Sequence, residues 1–547
     1  MLFSDSLLKY FIRRDRGWVL SLLMMVCLVY LPFLGSPFVF DDLPFFNRNG
    51  TAHSIDLAFI FNLRGLPYAS LDWTIAIFSD AVPHFFHLGN ALLHAANVIL
   101  LFYLLRLLLG AVMSDPESNK MLIWGAWLGA LVFACHPVAI YAVGYVVERS
   151  IVMATLFALV MQLAYVRGLL TGQKRWLVLA VVAYYLASFS KEHSILVPTL
   201  LAAQTLLLRA KIVAGRRELV IAWLAFCAIG LLVMLRVKGV FGTPYEPMAA
   251  HLFEQQGVIE STPILYLLSV LTQAGLFFKY LCLWLLPNPA WMSIDMREPF
   301  ISSFAEGAAW LGGAGFIVYG FVAIRLLLRG GEAGLAGFAL LYPWLLFMVE
   351  FSSIRVQEPF VLYRSYLWLP GMMLFFPLAL SKLPSRKMLF GIGFMALLLV
   401  PLAWNRLWVF ADNYRLWNDA VQLLRSDREA GADRIYYNRG HYAAEMHKWD
   451  DAIADFQRVV TISPQLAPLR YQLGMAYVSA KRYQEALVQF DAQVALKPDD
   501  GRAYFGKALA LMGLHAKEQA SQQLQRGCEL GDESACTMAG WSSQKKN

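Results

Sequence analysis

The sequence predicts an all-α protein in two parts, a bundle of membrane-spanning helices followed by a soluble region of helical repeats. The chain has 547 residues, of which 59% are hydrophobic and 15% charged. Long apolar stretches follow one another as far as about Trp404, and each is long enough for a helix that satisfies its own backbone in lipid. The composition then changes, and a 34-residue repeat begins near residue 433.

The apolar stretches predict about eleven spans. We place them at 17–34, 86–109, 121–135, 147–167, 176–189, 194–208, 219–235, 305–324, 335–351, 366–381 and 388–404. Arg13, Arg14 and Arg16 place the N-terminus in the cytoplasm, and further basic residues then fall in every cytoplasmic loop. These loops are 106–120, 167–175, 209–217, 325–333 and 382–387. A span at 263–286 would break the alternation, so we expect a re-entrant or interface-lying helical pair there.

This pattern is typical of a multi-pass protein of the bacterial inner (cytoplasmic) membrane, with the residues after 404 in the periplasm. Because the net charge of +8 lies mostly in short loops, it indicates a lipid bilayer rather than nucleic acid as the partner. We predict a transmembrane domain at 1–404, a linker helix at 405–432 and a repeat domain at 433–547. Within the first, 35–85 forms the first periplasmic loop and 236–304 a periplasmic or re-entrant region.

The repeat region has the 34-residue period of tetratricopeptide units. The first unit has Tyr436, Gly440, Ala452, Phe456 and Pro464, and the second has Gly474, Tyr477, Ala486, Phe490 and Pro498. A third unit from about 501 keeps Tyr504, Ala508 and Ala520 but lacks the closing proline, as a capping repeat would. Such repeats present a groove for extended peptide, so we predict that an acceptor protein docks there, with Tyr436, Tyr477 and Tyr504 in the groove. A scaffold for dimerisation or assembly is the alternative. Cys528 and Cys536 fit either a disulfide, in an oxidising compartment, or free thiols.

Charged and histidine side chains gather in or beside the predicted external loops. They are Asp41, Asp42, Arg64, His87, His136, Glu148, Arg149, Lys191, Glu192, Asp295, Glu350 and Arg364. Polar groups at a membrane boundary are costly, so their convergence predicts an active site at the outer membrane surface. The alternative is that acidic residues and histidines simply avoid cytoplasmic loops.

Several short motifs occur in a characteristic order. They are Phe38-Val39-Phe40-Asp41-Asp42, Arg64-Gly65-Leu66-Pro67, Phe86-His87-Leu88-Gly89-Asn90 with His94, Cys135-His136-Pro137-Val138, Glu148-Arg149-Ser150, Ser190-Lys191-Glu192, Leu285-Leu286-Pro287 leading to Asp295, Glu350-Phe351-Ser352-Ser353 and Tyr363-Arg364-Ser365-Tyr366-Leu367-Trp368-Leu369-Pro370. In this order they resemble the transmembrane and tetratricopeptide O-mannosyltransferase-like (TMTC) family and its bacterial relatives. That family belongs to the GT-C glycosyltransferases, which use lipid-phosphate-linked sugars. The chain departs from the family at Arg64-Gly65-Leu66-Pro67 and in the looser motif after Arg364.

The resemblance implies a GT-C helical bundle and an inverting transfer of sugar from a polyprenyl-phosphate donor to an exported protein, at Ser or Thr. Asp41 or Asp42 would take the acceptor's proton, with Asp41 favoured. The alternative for this pair is a helix N-cap with a solvated neighbour. Donor phosphate would be bound by Arg64, Arg149, Lys191 and Arg364, with a hydrogen bond from His136. Each cation fits equally a snorkelling interface residue, and His136 a structural histidine.

Supporting roles fall to Glu148, Glu192, His87, Asp295 and Glu350, of which the first two orient their basic neighbours. No cofactor is required by these patterns, although Mg²⁺ or Mn²⁺ is compatible with a departing pyrophosphate. His87, Asn90 and His94 share a helix face that could build a metal site with Asp42, but their spacing does not match a zinc motif. Two other functions stay open: a non-catalytic membrane scaffold built on the repeats, and an enzyme that modifies glycolipid or polysaccharide.

Overall fold

The computed structural model describes residues 5–48, 61–78, 82–113, 119–237, 242–244, 262–356, 358–380 and 385–540. Parts of the predicted loops at 35–85, 106–120, 236–304 and 382–387 therefore lie outside the described residues. Apart from one isolated bridge between Pro244 and Ile354, the described ranges contain only helices, turns and irregular segments. The all-α prediction is confirmed.

The chain divides into two compact units. Described residues before 295, together with 300–412, form the first unit, and residues 295–299 with 413–540 form the second. The α-helices of the first unit are α1 Asp5–Tyr30, α2 Asp42–Arg48, α3 Gly65–Phe78, α4 Pro83–Val112, α5 Asn119–Cys135, α6 Ile140–Val143, α7 Arg149–Thr171, α8 Lys174–Ser190, α9 Val197–Leu207, α10 Arg216–Arg236, α11 Thr262–Leu285, α12 Gly307–Arg329, α13 Gly331–Phe347, α14 Phe375–Leu380 and α15 Ser385–Phe410.

Among the described residues, seven helical segments are long and apolar enough to cross a membrane, or nine if two bent helix pairs are each counted as one. The seven are Asp15–Phe33, Pro83–Val112, Val146–Thr171, Arg216–Arg236, Thr262–Leu285, Gly307–Arg329 and Gly331–Ser352. The chain is thus a multi-span membrane protein. The number differs from the eleven predicted spans partly because α8 has 17 residues and α9 only 11.

Two predicted segments differ in form. The stretch 263–286 is one unbroken helix, α11, rather than a helical pair, because no proline interrupts the run between Pro263 and Pro287. The predicted span 366–381 is divided into 3₁₀ turns at Leu362–Tyr366 and Pro370–Leu374 and the short α14. Pro370 and Pro377 account for this division, since proline cannot continue the helical hydrogen bonds.

Buried polar bonds tie the centre of the first unit together. Gln162 of α7 donates to the Tyr342 hydroxyl of α13 at 2.9 Å and accepts from the Gln204 amide of α9 at 3.1 Å. Gln162 and Gln204 lie within α7 and α9, and both residues are fully buried. Such bonds join helices in a setting where lipid offers no alternative partner. They hold α7, α9 and α13 in fixed positions, and the loops at the ends of these helices carry the candidate site.

The second unit consists mainly of paired helices. They are α16 Asn413–Leu423, α17 Ala432–Glu445, α18 Trp449–Ile462, α19 Ala467–Ser479, α20 Tyr483–Leu496, α21 Gly501–Gly513, α22 Lys517–Glu529 and α23 Glu533–Met538. In three successive pairs the second helix begins at Trp449, Tyr483 and Lys517, and each start lies 34 residues after the one before it.

The turn inside each helix pair repeats the same backbone conformation. His447, Lys481 and His515 have φ of 57°, 60° and 63°, the left-handed region in which non-glycine residues are uncommon. They too are spaced by 34 residues, so the third pair keeps the register of the first two although it lacks the closing proline. Cys528 and Cys536 form a disulfide that joins α22 to α23.

Candidate active site

The paired aspartates have opposite environments. Asp42 is fully buried, and its carboxylate accepts backbone N–H bonds from Val39 at 3.1 Å, Val147 at 2.7 Å and Val146 at 3.4 Å. Asp41 is exposed, and its backbone N–H donates to the Tyr145 hydroxyl at 3.0 Å. Asp42 therefore fastens the first loop to the start of the 3₁₀ turn Val146–Glu148, and this leaves the Asp41 side chain facing solvent.

Lys191 and Glu148 form a buried ion pair. Lys191 follows the last residue of α8, and its Nζ lies 3.0 Å from Glu148 Oε2 and 3.3 Å from Oε1. Their side chains are only 4% and 8% exposed. Burial lowers the pKa of Lys191, and the Glu148 carboxylate opposes that change. A cation withdrawn from water in this way binds an anion more strongly than one at the surface.

Arg64 and Glu192 form a second ion pair, with two hydrogen bonds. Arg64 Nε donates to Glu192 Oε2 at 3.0 Å, and Nη2 donates to Oε1. The backbone of Arg64 is left-handed, at φ 58°, and its N–H donates to the Phe189 carbonyl at the end of α8. Burial opposes the charge of Glu192, but Arg64 outweighs it and holds the pKa of this carboxyl well below its usual range.

Glu350 forms the third centre of charge. It is fully buried, and its Oε2 lies 3.0 Å from Arg364 Nη1 and 3.3 Å from Arg355 Nε. His193 lies between this carboxylate and that of Glu192, with ring nitrogens 3.5 Å and 3.7 Å from the two acids. Burial lowers the pKa of His193, so the neutral ring is favoured.

These three centres meet in one charged cluster, defined as Arg64, Glu148, Lys191, Glu192, His193, Glu350, Arg355 and Arg364. It holds four permanent cations, Arg64, Lys191, Arg355 and Arg364, and three carboxylates. Tyr363 joins the cluster to the aspartate loop: its ring centre lies 5.5 Å from Lys191 Nζ and 6.1 Å from the ring of Tyr145. Tyr145 and Tyr363 thus link the loop of the exposed Asp41 to the charged cluster.

Arg149 is bonded to the chain at each guanidinium nitrogen. Nε donates to Asn90 Oδ1 at 2.8 Å, Nη2 to the Phe86 carbonyl at 2.9 Å, and Nη1 to the Ser70 carbonyl at 3.1 Å. Gly89 makes room for this group, since a Cβ there would lie 2.7 Å from Nη2. The structure therefore places Arg149 as a clamp between α3, α4 and α7.

Both predicted histidines are buried and bonded to main chain. His136 stacks on Trp284 with ring centres 4.2 Å apart, bonds through Nε2 to the Trp284 carbonyl at 3.0 Å, and caps the turn at Val138. His87 Nε2 bonds to the Ser36 carbonyl at 3.0 Å. Neither bond reaches the charged cluster. Among the described residues, no group of three or more His, Cys, Asp or Glu is arranged to hold a metal ion.

The second unit contains the remaining predicted residues. Asp295 is buried, and it pairs with Arg297 at 2.7 Å and with Arg434 of α17 at 2.8 Å. Tyr436 and Tyr477 are 3% and 4% exposed. The Tyr436 hydroxyl donates to Asp427 at 2.7 Å, and the Tyr477 hydroxyl accepts from Gln457 at 2.6 Å. The Tyr504 hydroxyl donates to the Pro498 carbonyl at 3.1 Å.

Sequence reasoning gave no role to four residues of the site: Tyr145, His193, Arg355 and Tyr363. All four lie within five positions of a predicted site residue: His193 follows Glu192 and Tyr363 precedes Arg364, whereas Tyr145 lies three residues before Glu148 and Arg355 five residues after Glu350. A search for every charged or aromatic residue within a few positions of each motif would have found them.

Comparisons with known proteins agree with the two-part organisation. A tetratricopeptide repeat model matches residues 443–504. The chain is similar to protein O-mannosyl-transferase TMTC3 of Mus musculus, at 23% identity over 460 residues that cover 77% of this chain and 47% of that protein. The chain thus spans about half the length of this relative.

Two solved structures have a likeness to part of the chain. One is YrrB, titled a TPR protein with an unusual peptide-binding site, at 16% identity over 31% of this chain and 81% of that chain, with a TM-score of 0.22. The other is MamA, at 20% identity over 28% of this chain and 81% of that chain, with a TM-score of 0.20. TM-scores this low support no inference.

Asp42 gives the fold a measurable pH dependence. Burial raises the pKa of Asp42 to about 7, although the three N–H donors oppose the change. Because the folded state holds this proton more tightly than the unfolded chain, the linked stability is fully present below about pH 4 and is lost as the pH rises through 7. The slope is at most about 1.4 kcal/mol per pH unit. We expect the melting temperature of Asp42→Asn in detergent to fall less than that of wild type between pH 5 and 7. Asp41→Asn, at the exposed neighbour, should keep the wild-type dependence of melting temperature on pH. If Asp42→Asn also shows the same pH dependence as wild type, Asp42 does not hold this proton.

The clamp formed by Arg149 predicts a stability defect. Arg149→Lys replaces a planar fork with one ammonium group, which cannot reach the acceptors on both α3 and α4 in the same geometry. We expect a loss of about 2 kcal/mol in the free energy of unfolding, measured as a lower melting temperature in detergent. The exposed Arg325→Lys serves as the control. An unchanged melting temperature combined with weaker binding of a lipid-phosphate donor would instead make Arg149 a donor ligand.

Proposed function

We propose that the protein is a membrane glycosyltransferase that moves a sugar from a polyprenyl-phosphate donor to a hydroxyl of an exported protein. The proposal rests on the exposed Asp41 and on the nearby cluster that gathers four cations, Arg64, Lys191, Arg355 and Arg364, in a largely buried setting. A carboxylate exposed to solvent suits a base that must meet an acceptor, and several cations held close together suit a departing phosphate. The similarity to TMTC3, named as an O-mannosyl-transferase, supports the same reaction class.

The proposed reaction is one displacement at the anomeric carbon. The acceptor oxygen bonds to this carbon while the bond from carbon to phosphate oxygen breaks, and the phosphate leaves with the electron pair. Asp41 takes the acceptor's proton, and the buried cations stabilise the charge that grows on the phosphate. A single displacement inverts the anomeric configuration, as expected for a GT-C enzyme. This chemistry is supplied by side chains, and a divalent ion would be an addition to it.

We assign the binding of the donor phosphate to three residues of the charged cluster, Lys191, Arg364 and Arg64. Lys191 offers a point charge, whereas the two arginines offer planar forks that match phosphate oxygens. In this assignment Glu148, Glu192 and Glu350 hold the cations in position before the donor arrives. Arg149 and His136, which bond to the chain itself, shape the site rather than bind the donor, and Asp42 positions Asp41.

The disulfide between Cys528 and Cys536 supports an extracytoplasmic repeat region, because structural disulfides persist in oxidising compartments. Together with the basic loops, this favours a periplasmic location for both the repeats and the active site, in a bacterial inner membrane. The repeats would then dock the exported acceptor. Since the three groove tyrosines bond largely within the unit, we assign them to the shape of the groove rather than to direct peptide contacts.

The decisive variant is Asp41→Asn in proteoliposomes that contain a polyprenyl-phosphate sugar and a hydroxyl-bearing acceptor. Losing a general base costs about 10²- to 10⁴-fold in rate, so we expect sugar transfer to fall by at least about a hundredfold. Glu332→Gln, at an exposed acid in the first turn of α13, is the matched control and should keep wild-type transfer. Undiminished transfer by Asp41→Asn would rule out this base, and no transfer by wild type would favour a scaffold.

A second experiment, on a shortened chain, identifies the class of acceptor. In a chain that ends before residue 433, an enzyme acting on protein should lose transfer to its folded acceptor but still turn over a short hydroxyl acceptor supplied in excess. An enzyme acting on glycolipid should keep its full activity without the repeats. Mass spectrometry of the product separates the two outcomes, because it shows whether the sugar is attached to protein or to lipid.

A further inference from the structure

A cavity of about 730 Å³ lies in the first unit between α1, α4, α7 and α8. Its walls are mostly aliphatic and include Leu23, Ile99, Val160 and Leu163. A volume of this size accommodates a small organic ligand, and walls of this kind select an apolar one. The cavity plays no part in the proposed reaction.

One end of the cavity differs sharply from its walls. Arg16, Tyr103, Arg167 and Trp176 lie there, and the Arg167 guanidinium lies 5.1 Å from the centre of the Trp176 ring. Within the described part of the chain, neither Arg16 nor Arg167 has an ion-pair partner. Asp15, which precedes Arg16 in the sequence, is buried and forms its ion pair with Arg106. The cavity thus joins an apolar interior to two cations and two interfacial aromatic side chains.

We propose that this cavity binds an anionic phospholipid, with one acyl chain among the aliphatic walls and the phosphate at Arg16 and Arg167. Arginine close to a leaflet attracts anionic headgroups, and tryptophan and tyrosine lie preferentially at the level of the headgroups. The part of the cavity wall between Val160 and Arg167 extends about 10 Å along α7. The cavity is therefore long enough for part of an acyl chain as well as a headgroup.

The position of the cavity separates this lipid from the sugar donor. Arg149 and Arg167 mark opposite ends of α7, about 27 Å apart along the helix axis. The charged cluster lies at the Arg149 end, next to Glu148, whereas the cations of the cavity lie at the other end. The basic loops predict that this second end faces the cytoplasm. A membrane phospholipid of that leaflet is therefore the occupant, whether or not the proposed transfer reaction is correct.

Native mass spectrometry of the full-length protein tests this site. The protein in detergent is titrated with phosphatidylglycerol or phosphatidylcholine. We expect one phosphatidylglycerol to bind in preference to phosphatidylcholine, and the double variant Arg16→Gln with Arg167→Gln to weaken its binding by about 25-fold, since each arginine contributes about fivefold. Leu163→Trp, which fills the cavity but keeps both cations, should weaken binding of both lipids. Arg325→Gln, an exposed arginine outside the cavity, should bind like wild type.

Three results would overturn the proposal: equal affinity for the two lipids, unchanged binding by the double variant, or unchanged binding by Leu163→Trp. Polyprenyl phosphate is the competitor in a final titration. If it displaces phosphatidylglycerol from wild type at equal or lower concentration, the cavity is a second donor site and the phospholipid assignment is wrong.

Discussion

Removing a charged side chain from water costs several kcal/mol unless an opposite charge and hydrogen bonds replace the lost hydration. The first unit buries Glu148, Lys191 and Glu350 together, so each must be held by a partner from another part of the chain. These partners come from segments far apart in sequence: Lys191 follows α8, Glu148 precedes α7, and Arg364 lies in a 3₁₀ turn after α13. The cluster can therefore form only when the helices are packed, and the packed helices in turn fix its geometry.

The same constraint explains the difference between the two aspartates. Asp42 is held by three backbone N–H groups and so anchors the loop, whereas Asp41 remains open to solvent. Tyr145 and Tyr363 link this loop to Lys191, since the Tyr145 hydroxyl accepts the Asp41 N–H and the Tyr363 ring lies 6.1 Å from the Tyr145 ring and 5.5 Å from Lys191 Nζ. A pair of adjacent acids thus divides into one residue that fixes the loop and one that is exposed to solvent.

Features set by local periodicity could be predicted from the sequence. The 34-residue repeat gave the helix pairs, and the apolar stretches gave most of the spanning helices. Features set by tertiary partners could not. Arg64 and Arg149 are both arginines beside predicted external loops, yet one lies in the charged cluster and the other clamps three helices through Asn90, Phe86 and Ser70. Likewise, His136 precedes a proline at a helix end, but only the packing of Trp284 shows that both its ring nitrogens are used within the chain.

The proposed arrangement is that the charged cluster receives the donor phosphate while Asp41 faces the sugar. A cryo-electron microscopy structure of the full-length protein with a bound polyprenyl-phosphate sugar tests it most directly. We expect phosphate oxygens within hydrogen-bonding distance of Lys191 Nζ and the Arg364 guanidinium, with the anomeric carbon on the side of Asp41. Phosphate density away from the cluster, with the Lys191–Glu148 and Arg364–Glu350 pairs unchanged, would contradict this arrangement.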